Sequence, residues 1–258
     1  MIGTFRRPVR GYAYNLLDNS DFRNPVNQRG ATFAPEYDYG IDRWMEYAGA
    51  AQASFSFFAD GMVLSGTLAQ KIPSGAFITG NTYSAALYMA DGSVLVASGV
   101  VHTAGSSWTT FASAENGNVG IAVFTDSQDG SYIGVRISAS GEKIRGCALY
   151  EGEYTADTLP PYVPRGYGAE LVECMRYYQS DNRVQYIPSL GGEDYFKILE
   201  VQFFVPMRTV PIMHVECNEP TYVVQISNNS GFEIRIADAA NVSESNPALT
   251  MWTASADL

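Results

Sequence analysis

Short apolar runs separated by glycine-containing turns dominate the chain from about residue 49 onward. Five runs before residue 147 are rich in Val, Ile, Phe, Tyr and Thr: Ala53–Phe58, Tyr83–Met89, Val94–Val101, Gly120–Phe124 and Ile133–Ser138. Between such runs lie residue pairs that favour tight turns: Asp60-Gly61, Asp91-Gly92, Asn116-Gly117, Asp129-Gly130 and Ser140-Gly141. Asx-Gly pairs tolerate positive φ and are the strongest local hairpin signal. Many short strands at this spacing predict a jelly-roll β-sandwich.

A proline-rich segment follows these runs. Thr158–Arg165 contains three prolines, which cannot donate to a β-ladder and which favour stiff, extended chain. We therefore predict that the first module spans residues 1–165 and that this segment is its exit.

A helical pattern comes next, within a predicted linker at residues 166–185. Four apolar side chains recur at i, i+3, i+4 and i+7: Leu171, Cys174, Met175 and Tyr178. Acidic residues lie early in this stretch and Arg176 lies late, as the helix dipole favours. Because a helix of about ten residues is not stable alone, its apolar face must pack against a β module or against copies of itself. The spacing leaves both arrangements open.

Strand patterns resume after the helix and predict a smaller C-terminal β-sandwich at residues 186–258. The runs are Tyr195–Val205, Ile212–Glu216, Tyr222–Ser227, Phe232–Ala237 and Leu249–Thr253. Asn228–Gly231 is typical of a tight turn between two of these strands. A module of this size buries proportionately little surface, and oligomerisation is one remedy. The predicted fold class is therefore all-β, with two sandwiches and a short connecting helix.

Charge and hydropathy exclude several classes of partner. The chain carries 27 acidic and 16 basic residues, a net charge of −11, so we expect no nucleic-acid binding. Its apolar runs fall short of the roughly 20 residues that cross a bilayer, and no membrane insertion is expected. No apolar stretch follows the arginines of the first ten residues, so we expect no signal peptide.

The sequence contains no recognisable catalytic or metal-binding motif. The three cysteines are far apart, and His102 and His214 stand singly, so we expect no enzyme activity, metal site or cofactor. Paired carboxylates keep a polysaccharide depolymerase open as an alternative: Glu36 with Asp38 and Asp42, Asp126 with Asp129, Glu151 with Glu153, and Glu193 with Asp194. Asp126 and Asp129 are also candidates for a structural calcium site.

Aromatic residues in turn-rich stretches are the candidates for ligand contact. Aromatic faces stack on the C–H faces of sugars, while polar neighbours bind the hydroxyls. The first candidates are Tyr37, Tyr39 and Trp108. The distal turn adds a second set, Tyr222, Asn228 and Asn229.

Five stretches in this order resemble bacteriophage and prophage tail-fibre or receptor-binding proteins that carry a carbohydrate-binding-module-like jelly roll. They are Asn15–Gly30 (N-L-L-D-N-S-D-F-R-N-P-V-N-Q-R-G), Tyr39–Trp44 (Y-G-I-D-R-W), Leu149–Arg165, Glu173–Tyr178 (E-C-M-R-Y-Y) and Val205–Pro211 (V-P-M-R-T-V-P). The last stretch resembles the start of a tail-fibre tip module.

The resemblance implies a homotrimeric virion component, made in the bacterial cytoplasm, that binds bacterial surface polysaccharide and contacts other phage tail proteins. It also implies that three chains meet along the helix, through Leu171, Cys174, Met175 and Tyr178. A purely structural tail or baseplate component, which never binds sugar, is the alternative. The resemblance indicates no defined sugar site.

Overall fold

The computed structural model describes residues 13–47, 52–73, 76–78, 80–101, 109–125, 132–183, 185–186, 197–217, 223–236 and 248–256. Over these residues the chain is all-β with one short helix, and its strands pair antiparallel. The predicted fold class is confirmed. Two compact units divide the chain, Met1–Glu170 and Leu171–Leu258.

The described residues of the first unit form eight strands: β1 (Phe33–Ala34), β2 (Ala53–Phe58), β3 (Gly61–Pro73), β4 (Thr82–Met89), β5 (Val94–Val101), β6 (Thr109–Ser113), β7 (Val119–Thr125) and β8 (Tyr132–Glu151). Hydrogen bonds connect them in the order β1-β2-β3-β8-β4-β5, while β7 also pairs with β8 and β6 pairs with β7. Strands β4 and β5 approach β6 and β7 without pairing, so the unit has two packed layers.

The long strand β8 belongs to both layers. Its first half lies between β3 and β7, and its second half pairs with β4. Ser140-Gly141, predicted to be a turn, instead forms a bulge within β8: Leu64 and Ser65 of β3 face Glu142 and Ser140, and Gly141 has a φ of 79°. A glycine at positive φ serves a bulge as well as a hairpin, and a bulge bends the strand.

One apolar core fills the space between these layers. It takes alternate residues from both halves of β8, for example Ile133 and Val135 from the first half and Cys147 and Leu149 from the second. Trp44, which is fully buried, closes the core from the loop side. Burial of apolar side chains on this scale is the main driving force for the fold.

The proline-rich segment lies on the sheet rather than leading away from it. Tyr162 stacks on Tyr88 of β4 with ring centroids 4.4 Å apart, and its hydroxyl donates to the Ser20 carbonyl at 2.8 Å. Gly146 of β8 leaves room for this hydroxyl, since a Cβ there would overlap the Tyr162 Oη. Burial raises the pKa of Tyr162. The segment predicted to be an exit is therefore part of the first unit.

The helix α1 spans Tyr167–Met175, whereas the apolar spacing placed it at Leu171–Tyr178. It begins earlier because the Gly166 carbonyl accepts hydrogen bonds from the backbone N–H groups of Ala169 and Glu170. It ends earlier because Tyr178 starts a strand. The predicted C-terminal boundary of the helix was wrong.

Two small sheets are formed by the part of the second unit that the structure describes. One sheet consists of β9 (Tyr178–Asp181), β10 (Gln185–Tyr186), β12 (Ile212–Cys217) and the central β15 (Ala248–Ser255); the other consists of β11 (Lys197–Gln202), β13 (Val223–Asn228) and β14 (Gly231–Ile236). Both sheets contribute to one core around Trp252, which contacts Phe203 and Phe232 edge-on or at a tilt. The predicted second sandwich therefore begins at β9, within the segment predicted to be a linker.

Candidate functional site

Asn19 is the centre of a buried hydrogen-bond network. Its side-chain amide donates to the carbonyl oxygens of Val26 and Asp42, each at 2.8 Å, and its Oδ1 accepts from the Val26 N–H at 2.7 Å. Asn19 has a φ of 50°, a left-handed conformation that Asn tolerates better than most residues. The motif residues around position 19 are therefore held in one fixed loop conformation.

The D-R-W motif completes this loop from the other side. Asp42 accepts hydrogen bonds from the backbone and side-chain nitrogens of Gln28, at 2.6 and 3.1 Å. Trp44 Nε1 donates to the Asn19 carbonyl at 2.9 Å. Arg43, fully buried, donates to the Lys71 carbonyl at 3.0 Å. These motif residues build the loop rather than present side chains to a ligand.

An ion-pair cluster connects the loop to the proline segment and the helix. Arg165 Nη1 lies 2.9 Å from Asp18 Oδ1 and 3.6 Å from Glu170 Oε2. Asp18 also pairs with Arg43 at 3.4 Å. Burial lowers the pKa of Arg165, but the hydrogen bond and charge of Asp18 and the charge of Glu170 raise it more, so the net shift is upward. Arg165 stays protonated at any physiological pH.

A half-open groove of about 220 Å³ lies over this cluster. The residues that line it are Ala13, Tyr14, Asn15, Leu17, Ser20, Tyr150, Pro161, Val163, Pro164, Arg165 and Glu170. Tyr14 forms an aromatic wall that is 51% exposed, and the Arg165 guanidinium stands 5.0 Å from its ring centroid. The groove thus combines an accessible ring with polar atoms on a rigid floor, as small-ligand sites do.

Internal hydrogen bonds hold the floor of the groove in place. Asn15 Nδ2 donates to Ser20 Oγ at 2.9 Å, and its Oδ1 accepts from the Leu149 N–H of β8 at 2.9 Å. Glu170 accepts from the backbone N–H of Asn19 at 2.8 Å. Because each floor residue is held by the fold, the groove is preorganised, and ligand binding would cost little ordering entropy.

Tyr37 and Tyr39, two predicted ligand residues, lie on a separate tight turn of the first unit. Tyr37 is 61% exposed with a φ of 54°, and its backbone N–H donates to Glu46 at 3.2 Å. The Arg29 guanidinium lies over Tyr39, 5.3 Å from the centroid of the tyrosine ring. The turn therefore presents exposed aromatic surface.

The other predicted ligand residues divide between described and undescribed parts of the chain. Trp108 and Tyr222 lie outside the described residues. Asn228 and Asn229 form the predicted hairpin between β13 and β14. Asn228 Oδ1 accepts from the Ser230 N–H at 2.6 Å, and Asn229 Nδ2 donates to the Met207 carbonyl at 2.8 Å. The Asn228 amide thus shapes the turn, whereas the Asn229 amide connects the turn to Met207.

The four residues predicted to form a trimer seam differ in burial. Leu171, Cys174 and Met175 lie on α1, and Tyr178 begins β9. Cys174 is fully buried in a single chain, whereas the other three are partly exposed. A seam between chains would therefore use the latter three.

Where the structure describes them, the paired carboxylates are exposed, with the exception of Asp42. Glu36 and Asp38 are exposed, whereas Asp42 is buried and bound to Gln28. Glu151 accepts a hydrogen bond from Asn81 at 2.5 Å. The pairs at 126/129 and 193/194 lie outside the described residues, as does His102. Within the described ranges, no three His, Cys, Asp or Glu side chains are grouped to hold a metal ion.

Comparison with known proteins adds no relative. No protein-family model, curated protein or solved structure matches the chain. Across the described residues, no helix has the length and apolarity needed to span a membrane.

The sequence prediction missed the groove and its main residues, Tyr14 and Arg165. A signal was present, since Tyr14 directly precedes the N-L-L-D-N motif and Arg165 ends the proline segment. What the sequence did not show is that these two segments, about 150 residues apart, lie side by side along β8.

Proposed function

We propose that the chain is a non-enzymatic, glycan-binding protein of the phage tail-fibre type, and that its saccharide site is the groove beside Tyr14. The observation that carries the proposal is the half-exposed Tyr14 ring beside the Arg165–Glu170 pair. An aromatic face stacks on the C–H face of a sugar ring, and the charged pair offers both donors and acceptors to hydroxyls.

The size and rigidity of the groove support a saccharide site there. Its volume of about 220 Å³ is below the roughly 300–1,000 Å³ of pockets for drug-sized ligands, which suits one sugar ring of a surface polysaccharide. A shallow site of this kind binds weakly. Assembly as a homotrimer in a virion, which the resemblance to tail-fibre proteins implies, would present three copies and raise the avidity.

Binding to glycans and to whole bacteria tests the proposal. We expect the full chain to bind a subset of bacterial surface polysaccharides on a glycan array, and Tyr14→Ala to lower that signal about two- to tenfold. Tyr167→Ala is the matched control, because Tyr167 is similarly exposed but does not line the groove. An array without any saccharide signal, together with binding to isolated tail proteins, would instead support the structural alternative.

A further inference from the structure

Electrostatics of the groove point to a class of sugar. Among the described residues that line the groove, Arg165 supplies the positive charge and Glu170 the negative charge. The second partner of Arg165 is Asp18, which is itself shared with Arg43. Among the described residues, these four side chains are two carboxylates and two guanidinium groups, and their charges cancel.

An acidic sugar would gain little from this cluster. Its carboxylate would have to compete with Asp18, held 2.9 Å from Arg165 Nη1, and would stand close to the Glu170 carboxylate. A ligand carboxylate loses hydration free energy when it leaves water, and no new cation offsets that loss here. The net charge of −11 on the whole chain adds a long-range repulsion.

An uncharged sugar meets none of these costs. Its hydroxyls both donate and accept, so they can bind at the edge of an ion pair without breaking it. Its C–H face can lie on the Tyr14 ring, which is half exposed. Resting on the proposed glycan site, we infer that the groove selects neutral saccharides and discriminates against uronic acids and other acidic sugars.

Matched pairs of saccharides test this selectivity. The probes are galactose oligomers against oligogalacturonates and glucose oligomers against oligoglucuronates, each pair with the same linkage and length. We expect the neutral member to bind about fivefold more tightly, the low end of the cost of a polar group that leaves water without gaining a partner. Raising the salt from about 0.01 M to 1 M should narrow this ratio, since the Debye length falls from about 30 Å to 3 Å.

Glu170→Gln supplies a second test. The amide oxygen can still accept from the Asn19 N–H, so the loop keeps its hydrogen bond while the cluster becomes positive by one charge. The ratio of the neutral to the acidic affinity should then fall about fourfold, the effect of one unit charge at about 5 Å in water. Asp60→Asn, which removes an exposed carboxylate outside the groove, should leave the ratio unchanged.

The outcomes separate the two proposals. Acidic members that bind as tightly as neutral ones, with binding lost in Tyr14→Ala, would overturn the selectivity and leave the glycan site standing. A Glu170→Gln ratio equal to that of the wild type would also overturn the selectivity. Failure of every saccharide to bind would overturn both.

Discussion

Glu170 and Asn19, 151 positions apart, are joined by a 2.8 Å hydrogen bond from the Asn19 N–H to Glu170 Oε2. This contact fastens the first turn of α1 to the loop of the N-L-L-D-N motif. Glu170 is the last residue of the first unit, five positions after the end of the proline segment at Arg165. The hydrogen bond also places Glu170 beside the groove, so the same contact shapes the proposed binding site.

Asn19→Ala should destabilise the first unit by about 2–4 kcal/mol. The change removes three hydrogen bonds and leaves buried backbone groups of Val26 and Asp42 without their partner. It also places alanine at a φ of 50°, which costs further free energy. Urea unfolding measures the loss.

Asn24→Ala is the matched control for this change. Asn24 is exposed in the same motif, and its loss should cost less than about 0.5 kcal/mol. Equal unfolding free energies for the two variants would show that the Asn19 network does not hold the loop.

Gly146→Ala should destabilise the first unit by at least about 2 kcal/mol, because the new methyl group would overlap the Tyr162 hydroxyl and approach the Ser20 carbonyl. Combining it with Tyr162→Phe should restore part of the stability, since the phenyl ring lacks the overlapping oxygen. Gly168→Ala is the control: a Cβ there meets nothing within 4 Å, and alanine favours the helix. Thermal unfolding that ranks the two glycine variants equally would contradict the packing of Tyr162 on β8.

Acid should weaken the second unit through Asp181. The hydrogen bond from Arg183 lowers the pKa of the Asp181 carboxyl below its usual value. A lowered folded-state pKa contributes stability above the unfolded-state pKa, about 3.9, and that stability is lost as the pH falls through the folded-state pKa. Because Arg183 is largely exposed, solvent screens the ion pair and the contribution is small.

Asp181→Asn isolates this contribution. The variant should be less stable than the wild type at pH 6, by urea unfolding, and the difference should shrink as the pH falls below the unfolded-state pKa of about 3.9. A difference that persists unchanged at the lower pH would show that the charge on Asp181 is not its source.

The proposed trimer predicts a solution mass of about three times 28.1 kDa by light scattering. Leu171→Glu should lower that mass, because it places a charge in the proposed seam on the partly exposed face of α1. Val172→Glu, on the neighbouring exposed position, is the control and should leave the mass unchanged. A wild-type mass of one chain would remove the trimer from the account.

Local turn chemistry made much of the fold predictable. Strands β2 and β5 have the predicted bounds, and the Asn116-Gly117 turn lies between β6 and β7 with Gly117 at a φ of 71°. Strand β3 was missed because it has no strict alternation: Gln70 is buried in it, bonded to both backbone groups of Asp18. A buried polar residue of this kind depends on a partner that is distant in sequence.

The groove was beyond prediction for the same reason. The sequence identified Asn19, Asp42 and Arg165 as members of motifs. It did not show that these residues form hydrogen bonds within the protein and hold its loops in place. Tyr37 was predicted because it is an aromatic residue in a turn. Tyr14 lines a groove only because the proline segment packs beside it, which the sequence does not show.

Calorimetric titration of the best array ligand into the wild type, Tyr14→Ala and Tyr37→Ala tests the central claim most directly. If the groove binds the sugar, Tyr14→Ala should weaken binding about two- to tenfold, the range expected for loss of about 0.5–1.5 kcal/mol of aromatic stacking, while Tyr37→Ala binds as the wild type does. Unchanged affinity in Tyr14→Ala together with a loss in Tyr37→Ala would move the site to the turn and contradict the account.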